Sequence, residues 1–143
     1  MTALLVGGVL LVGGHIADIQ ATLTIAEDDL RLKQADENQN RVEFLTKLGW
    51  QVSSDAVEVT DVVIPLEFDE VYQGYNKIQQ EQGFDLRQYA GYQVKRYSYE
   101  VYNHPSGDDF VRANLLVYNQ KLVGGDICSL RLDGFMHGLR PTQ

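Results

Sequence analysis

The sequence predicts an α+β domain: two helices packed on one face of a mainly antiparallel four-stranded sheet, in the order α-β-α-β-β-β. Three observations predict it. Val42, Phe44, Leu45 and Leu48 recur at helical spacing, and Gly49 follows as a stop. Tyr92 to Asn103 and Phe110 to Tyr118 each place apolar residues at every second position, the period of a strand. Asn119-Gln120 then separates the second of these from Lys121 to Leu130, which is the length of a tight hairpin turn.

Taken in order, the chain divides into an apolar segment (1–17), an acidic polar linker (18–37) and a single α+β domain (38–143). Ala3 to Gly14 is a run of twelve apolar or glycine residues. It reads as part of a membrane anchor or signal region, as a β-hairpin around Gly7-Gly8, or as a disordered or cleaved leader. Twelve residues fall short of the ~20 that span a bilayer, so an anchor would need apolar residues upstream of Met1. No cysteine directly follows the run, which excludes a lipoprotein anchor. Residues 18–37 carry Glu27-Asp28-Asp29 and Asp36-Glu37 without a firm apolar stripe, as a solvated spacer does.

The first helix covers Asn40 to Leu48, with a capping box from Asn40 and Glu43 or from Asp36 and Gln39. Trp50 follows the glycine stop and is placed to pack back on the last turn. Val57 and Val59 alternate with Glu58 and Thr60 as a half-buried edge strand, and Asp61 predicts a bulge before Val62. The second helix covers Pro65 to Gln82, with Phe68, Val71, Tyr72, Tyr75, Ile78 and Gln79 on its buried face and Gly83 as its stop. Asp85 caps a short helical turn. Within the next strand Tyr97, Tyr99 and Val101 share one face; Arg96, Ser98 and Glu100 share the other. Gly124-Gly125-Asp126 lacks the Lys-Ser/Thr of a phosphate loop and reads as a bulge that lets a helix or the tail approach the sheet. Asp133-Gly134 makes a turn, and Phe135 to Leu139 form a short apolar tail capping the sheet.

Charge excludes some partners. Residues 1–70 carry 13 acids against 4 bases, net -9, and residues 71–143 carry 7 against 8, net +1. The formal total of -8 argues against nucleic acid and anionic lipid heads. Cys128 is the one cysteine, so no internal disulfide forms, and its apolar setting suits an inert thiol. No cofactor or metal motif is present at a recognised spacing.

Two sets of candidate residues follow. Seven of the eight tyrosines lie between 72 and 102. Alternation puts Tyr92 and Tyr102 with Arg96 on the open sheet face, a surface suited to a partner. Asp126, Asp133 and His137 are the weaker catalytic candidates, for a small hydrolase-like or metal-dependent enzyme, provided they converge in a pocket. Cys128 with His137 is the remaining thiol–imidazole combination.

The phrases at 41–52, 64–72, 83–91 and 115–139 resemble an uncharacterised clostridial family of domains of unknown function. The resemblance implies a short N-terminal membrane segment followed by an extracytoplasmic domain, and brings no activity. Asn119-Gln120 departs from it, since related sequences favour glycine second. The expectation is thus a non-enzymatic, membrane-tethered module that binds a protein or cell-envelope partner.

Overall fold

The computed structural model describes residues 30–142. The readings of the apolar segment and of linker residues 18–29 lie outside the described residues. A compact unit begins at Arg31. Its elements are α1 (Asn38–Lys47), β1 (Glu58–Val63), α2 (Glu70–Glu81), a 3-10 turn (Leu86–Tyr89), β2 (Gln93–Val101), β3 (Val111–Tyr118), β4 (Lys121–Ser129) and β5 (Met136–His137). Among the described residues no helix is long and apolar enough to cross a membrane.

The fold is α+β, with an antiparallel sheet of five strands in the order β1-β2-β3-β4-β5. The fifth strand corrects the expectation of four. The tail extends the sheet as well as covering it: Met136 and His137 pair with Cys128 and Ile127, and Ser129 N donates to Phe135 O at 2.9 Å. A two-residue strand has no room to show alternation, so the sequence pattern gives no sign of it.

The β3–β4 hairpin turns on Asn119 and Gln120 at φ 49° and 66°, the doubly left-handed backbone of a type I′ turn. Its start is held by the segment before α1. Ala35 N donates to Gln120 O at 2.9 Å, and Leu122 N donates to Leu32 O at 3.2 Å. Residues 32–35, at the end of the expected linker, therefore pair with the hairpin. Asp61 makes no bulge: β1 pairs with β2 in unbroken register, and Asp61 lies 3.7 Å from Lys95 Nζ. An edge strand open to solvent accommodates a carboxylate without leaving its register. The irregularity falls instead in β4, where Val123 is the extra residue between Leu122 and Gly124.

The helices meet opposite faces of the sheet, which corrects the expected single-sided layering. From α1, Arg41 Nε donates to Tyr99 Oη at 2.8 Å and its guanidinium lies 3.5 Å from the Tyr97 ring centroid. From α2, Tyr75 Oη donates to Asp126 at 2.8 Å. By register Asp126 shares its face with Asn114 and Ser98, and strand side chains alternate, so Tyr97 and Tyr99 point the other way. Both faces carry apolar residues that need cover. Val94 and Leu116 pack with Ile64, Leu86 and Val123 beneath α2, while Tyr99, Val101, Ala113 and Leu115 are buried on the α1 face.

Neither expected capping box closes α1. Its N-cap is Glu37, which makes no side-chain cap, and the Asn40 amide donates back to Gln34 O. Arg41, only 4% exposed, is the unexpected core residue. Tyr99, the Ala35 carbonyl and the Tyr97 ring together replace its water. Trp50 is buried, with its ring beside His104 and His137, and donates from Nε1 to Leu139 O at 2.6 Å.

Helix α2 starts at Glu70, later than expected, because Asp69 caps it by accepting from Tyr72 N. Val71, assigned to the buried face, is 82% exposed. Asn76 is buried in its stead, beside Gln79 as expected, and both serve backbone groups: Asn76 Oδ1 accepts from Leu86 N and Gln79 Oε1 from Gly125 N, both at 2.8 Å.

Glycine requirements separate cleanly. A Cβ at Gly125 would lie 2.6 Å from Asn114 O and 2.9 Å from Leu139, whereas one at Gly74 in α2 meets nothing within 4 Å. Gly125→Ala is expected to destabilise the domain by about 3 kcal/mol. Gly74→Ala is expected to stabilise it by about 0.5–1 kcal/mol. Urea unfolding of both variants checks this; equal effects would contradict the close approach at Gly125.

Candidate functional site

Across the α2 face, the register lines up one polar row. Glu58, Ser98, Asn114 and Asp126 stand side by side on β1 to β4. Their hydrogen bonds run in one direction. Ser98 Oγ donates to Asn114 Oδ1 at 2.6 Å, and Asn114 Nδ2 donates to Asp126 Oδ2 at 3.0 Å. Tyr75 Oη reaches down from α2 to Asp126 Oδ1 at 2.8 Å. Both oxygens of this buried carboxylate are thereby engaged.

Arginines stand on either side of the row. Arg96 and Arg112 hold opposite oxygens of Glu58, at 3.1 Å and 3.5 Å. Arg96, Thr60 and Arg112 together lower the Glu58 carboxyl below its usual range. Arg96 Nε is buried and has no hydrogen-bond partner among the described residues. Above these groups, between the first turns of α2 and the sheet, lies a cavity of about 420 Å³. Tyr72, Val62 and Leu116 give it apolar walls, and Val71, Leu130 and Met136 form an exposed apolar rim. Its size and mixed lining suit a small molecule.

Burial shifts Asp126, Tyr75 and Cys128 upward. Burial raises the Asp126 carboxyl above its ordinary value, with Asn114 and Tyr75 opposing the shift. Burial, then the Asp126 charge, puts the Tyr75 phenol well above 10. The same two causes push the Cys128 thiol to about 11. Cys128 is half-buried on the cavity wall, not in the core, and at neutral pH it is a thiol with little nucleophilic character.

The sequence candidates are scattered. Arg96 lines the cavity. Tyr92 is exposed and packs against Tyr89 and Tyr118, and Tyr102 is exposed with its hydroxyl 3.3 Å from Glu100. Asp126, Asp133 and His137 do not converge: Asp133 sits in an exposed turn, and His137 pairs opposite Ile127, on the other face from Asp126. Cys128 and His137 are separated by the same alternation. Among the described residues no group of three His, Cys, Asp or Glu side chains is placed to hold a metal ion. The sequence reading missed Arg112, Asn114 and Ser98 as site residues. Their signal was polar residues at alternate positions of two strands, which becomes a site only once the register aligns them.

His137 belongs to a second cluster. His104 stacks between Trp50 and Phe135, with ring centroids at 5.6 and 4.3 Å, and its Nε2 lies 2.9 Å from His137 Nε2. The partners fix the neutral tautomers. His137 Nδ1 donates to Gly138 O, so its Nε2 accepts; His104 Nδ1 accepts from Ser106 N, so its Nε2 donates. A proton on His137 would set two N–H groups against each other.

A sequence profile for a domain of unknown function, DUF4830, matches residues 44–127. The chain belongs to this family. No curated protein and no solved structure matches it. The DUF4830 match runs from within α1 to near the end of β4. It contains Glu58, Arg96, Arg112, Asn114 and Asp126, while Leu130 and Met136 of the rim lie beyond it.

Two outcomes follow. Tyr75→Phe leaves buried Asp126 one donor short, and the expected loss is about 1–3 kcal/mol in urea unfolding; an unchanged midpoint would show that the hydroxyl carries no stability. Desolvation, then His137, lowers the His104 pKa below 6.5, with Asp108 opposing. The unfolded chain therefore binds that proton first, and stability present above about pH 6.5 is lost as pH falls through the lowered value. The melting temperature of the wild type should fall on acidification below pH 6.5, and His104→Gln should flatten that slope. Parallel slopes would remove His104 as the cause.

Proposed function

We propose that this DUF4830 domain is a non-enzymatic binding module, tethered to a cell membrane on its extracytoplasmic side, with the cavity beneath α2 as its ligand site. The observation that carries the reading is the arginine pair bridged by Glu58 at the mouth of a 420 Å³ cavity whose floor is already hydrogen-bonded to itself. Such a floor presents a fixed surface, and the arginines supply the polar recognition. Catalysis is disfavoured by the protonated Cys128 thiol and by the separation of Asp126 from His137. Tyr92 and Tyr102, exposed beyond either end of β2, extend the proposed contact surface outside the cavity. The tether rests on the apolar run Ala3 to Gly14 and on the resemblance to clostridial proteins with a short membrane segment.

A chemically mixed set of small acids, amides, amines and sugars, titrated into the full-length protein and followed by NMR, tests the binding site. Shifts should concentrate at Tyr72, Tyr75, Arg96, Arg112 and Asn114; shifts centred elsewhere, or none, would refute the assignment. Protease treatment of intact cells tests the tether. The domain should pellet with membranes and be digested, and recovery from the cytosol would reject it.

A further inference from the structure

Resting on the cavity as the binding site, we propose that its ligand is a small amphipathic monocarboxylate, whose carboxylate takes Arg96 while its apolar body lies along Tyr72, Val62 and Leu116. Three features select this chemistry. The first is the state of Arg96. Its Nη2 is held by Glu58 Oε1, yet its Nε is buried without a partner among the described residues. A guanidinium presents Nε and an Nη as a fork matched to the two oxygens of a carboxylate. In this structure only one prong of that fork is used. A ligand carboxylate taking both prongs would displace Glu58 from Arg96 and leave Glu58 on Arg112.

The second feature is charge. Arg96 and Arg112 against Glu58 leave one positive charge at the mouth. Asp126 lies deeper, its oxygens already occupied by Tyr75 and Asn114. One incoming carboxylate completes two ion pairs. A cation would meet two guanidinium groups, and a dianion would leave an uncompensated charge. The third feature is the apolar boundary. Val71, Leu130 and Met136 are exposed around the opening, where water contact costs free energy that an apolar ligand body would recover. Side chains already exposed in this way favour an occupant with an apolar part over a wholly polar acid.

Glu58 is then a resident competitor. It lies on the edge strand, with its side chain 45% exposed, and moves off Arg96 without disturbing the core.

The test is calorimetric titration of the full-length protein with 4-phenylbutyrate, its amide and 4-phenylbutylamine, three probes that differ only in the head group. The acid is expected to bind at least ten-fold more tightly than either analogue. Arg96→Gln should abolish that preference, and Arg96→Lys, which keeps the charge and loses the fork, should retain only part of it. Glu58→Gln should tighten the acid several-fold. If the amide or amine binds the cavity as well as the acid, the ligand class is wrong while the binding site stands. If Arg96→Gln keeps the preference, or Glu58→Gln leaves the affinity unchanged, the roles of those residues are overturned. If no probe of any head group binds, the binding-site reading falls with it.

Discussion

Two glutamine side chains decide how this fold closes. β4 has β5 beside it only at Ile127 and Cys128, which leaves the outer edge at Gly125 unpaired by any strand. Gln79, in the last turn of α2, and Gln82, its C-cap, fill that place. Gln79 Oε1 accepts from Gly125 N at 2.8 Å, and Gln82 Nε2 donates to Gly125 O at 3.0 Å. Gln82 Oε1 also accepts from Leu139 N, so the same side chain fixes the tail. A buried peptide group left without partners costs about 1–3 kcal/mol for each donor or acceptor, so these bonds outweigh ordinary surface contacts. The approach of the tail depends on glycine, since a side chain at 125 would strike Leu139 and the Asn114 carbonyl.

The cavity is a consequence. The C-terminal half of α2 is drawn to the sheet edge, and Tyr75 stands on Asp126 as a post midway along the helix. The first turn is left with Val71 in solvent and Tyr72 over a gap. Beneath that gap the sheet carries Ser98, Asn114 and Asp126, which would be costly to bury against an apolar helix. Hydrogen-bonding them to one another makes the floor stable while the space above it stays open. Burial of Asp126 raises its pKa and works against folding at neutral pH. Tyr75 and Asn114 counter that tendency by donating to both carboxylate oxygens.

The sequence made local features legible and left long-range ones dark. The α1 stripe, the left-handed glycines 49 and 83, the Asp85 cap and the Asn119-Gln120 turn each depend on residues close in the chain. The number of strands, the side taken by each helix and the burial of Arg41 and Asn76 do not. A hydrophobic stripe cannot register polar residues buried by bonds to distant backbone or rings, and Val71 looked like core because it fits the period. At the site, Arg96 was visible by alternation along its own strand. Arg112 and Asn114 join it only through the register across three strands. Nothing local announces the stack of His104 with Trp50, Phe135 and His137.

Native-state hydrogen exchange at the Gly125 amide tests the central claim most directly, because its acceptor is the Gln79 side chain. If α2 closes the β4 edge, this amide should exchange only through openings close in free energy to global unfolding. Exchange as fast as an exposed turn amide, with the neighbouring β4 amides still protected, would show that the helix does not hold the edge and that the cavity beneath it is not a fixed feature of the fold.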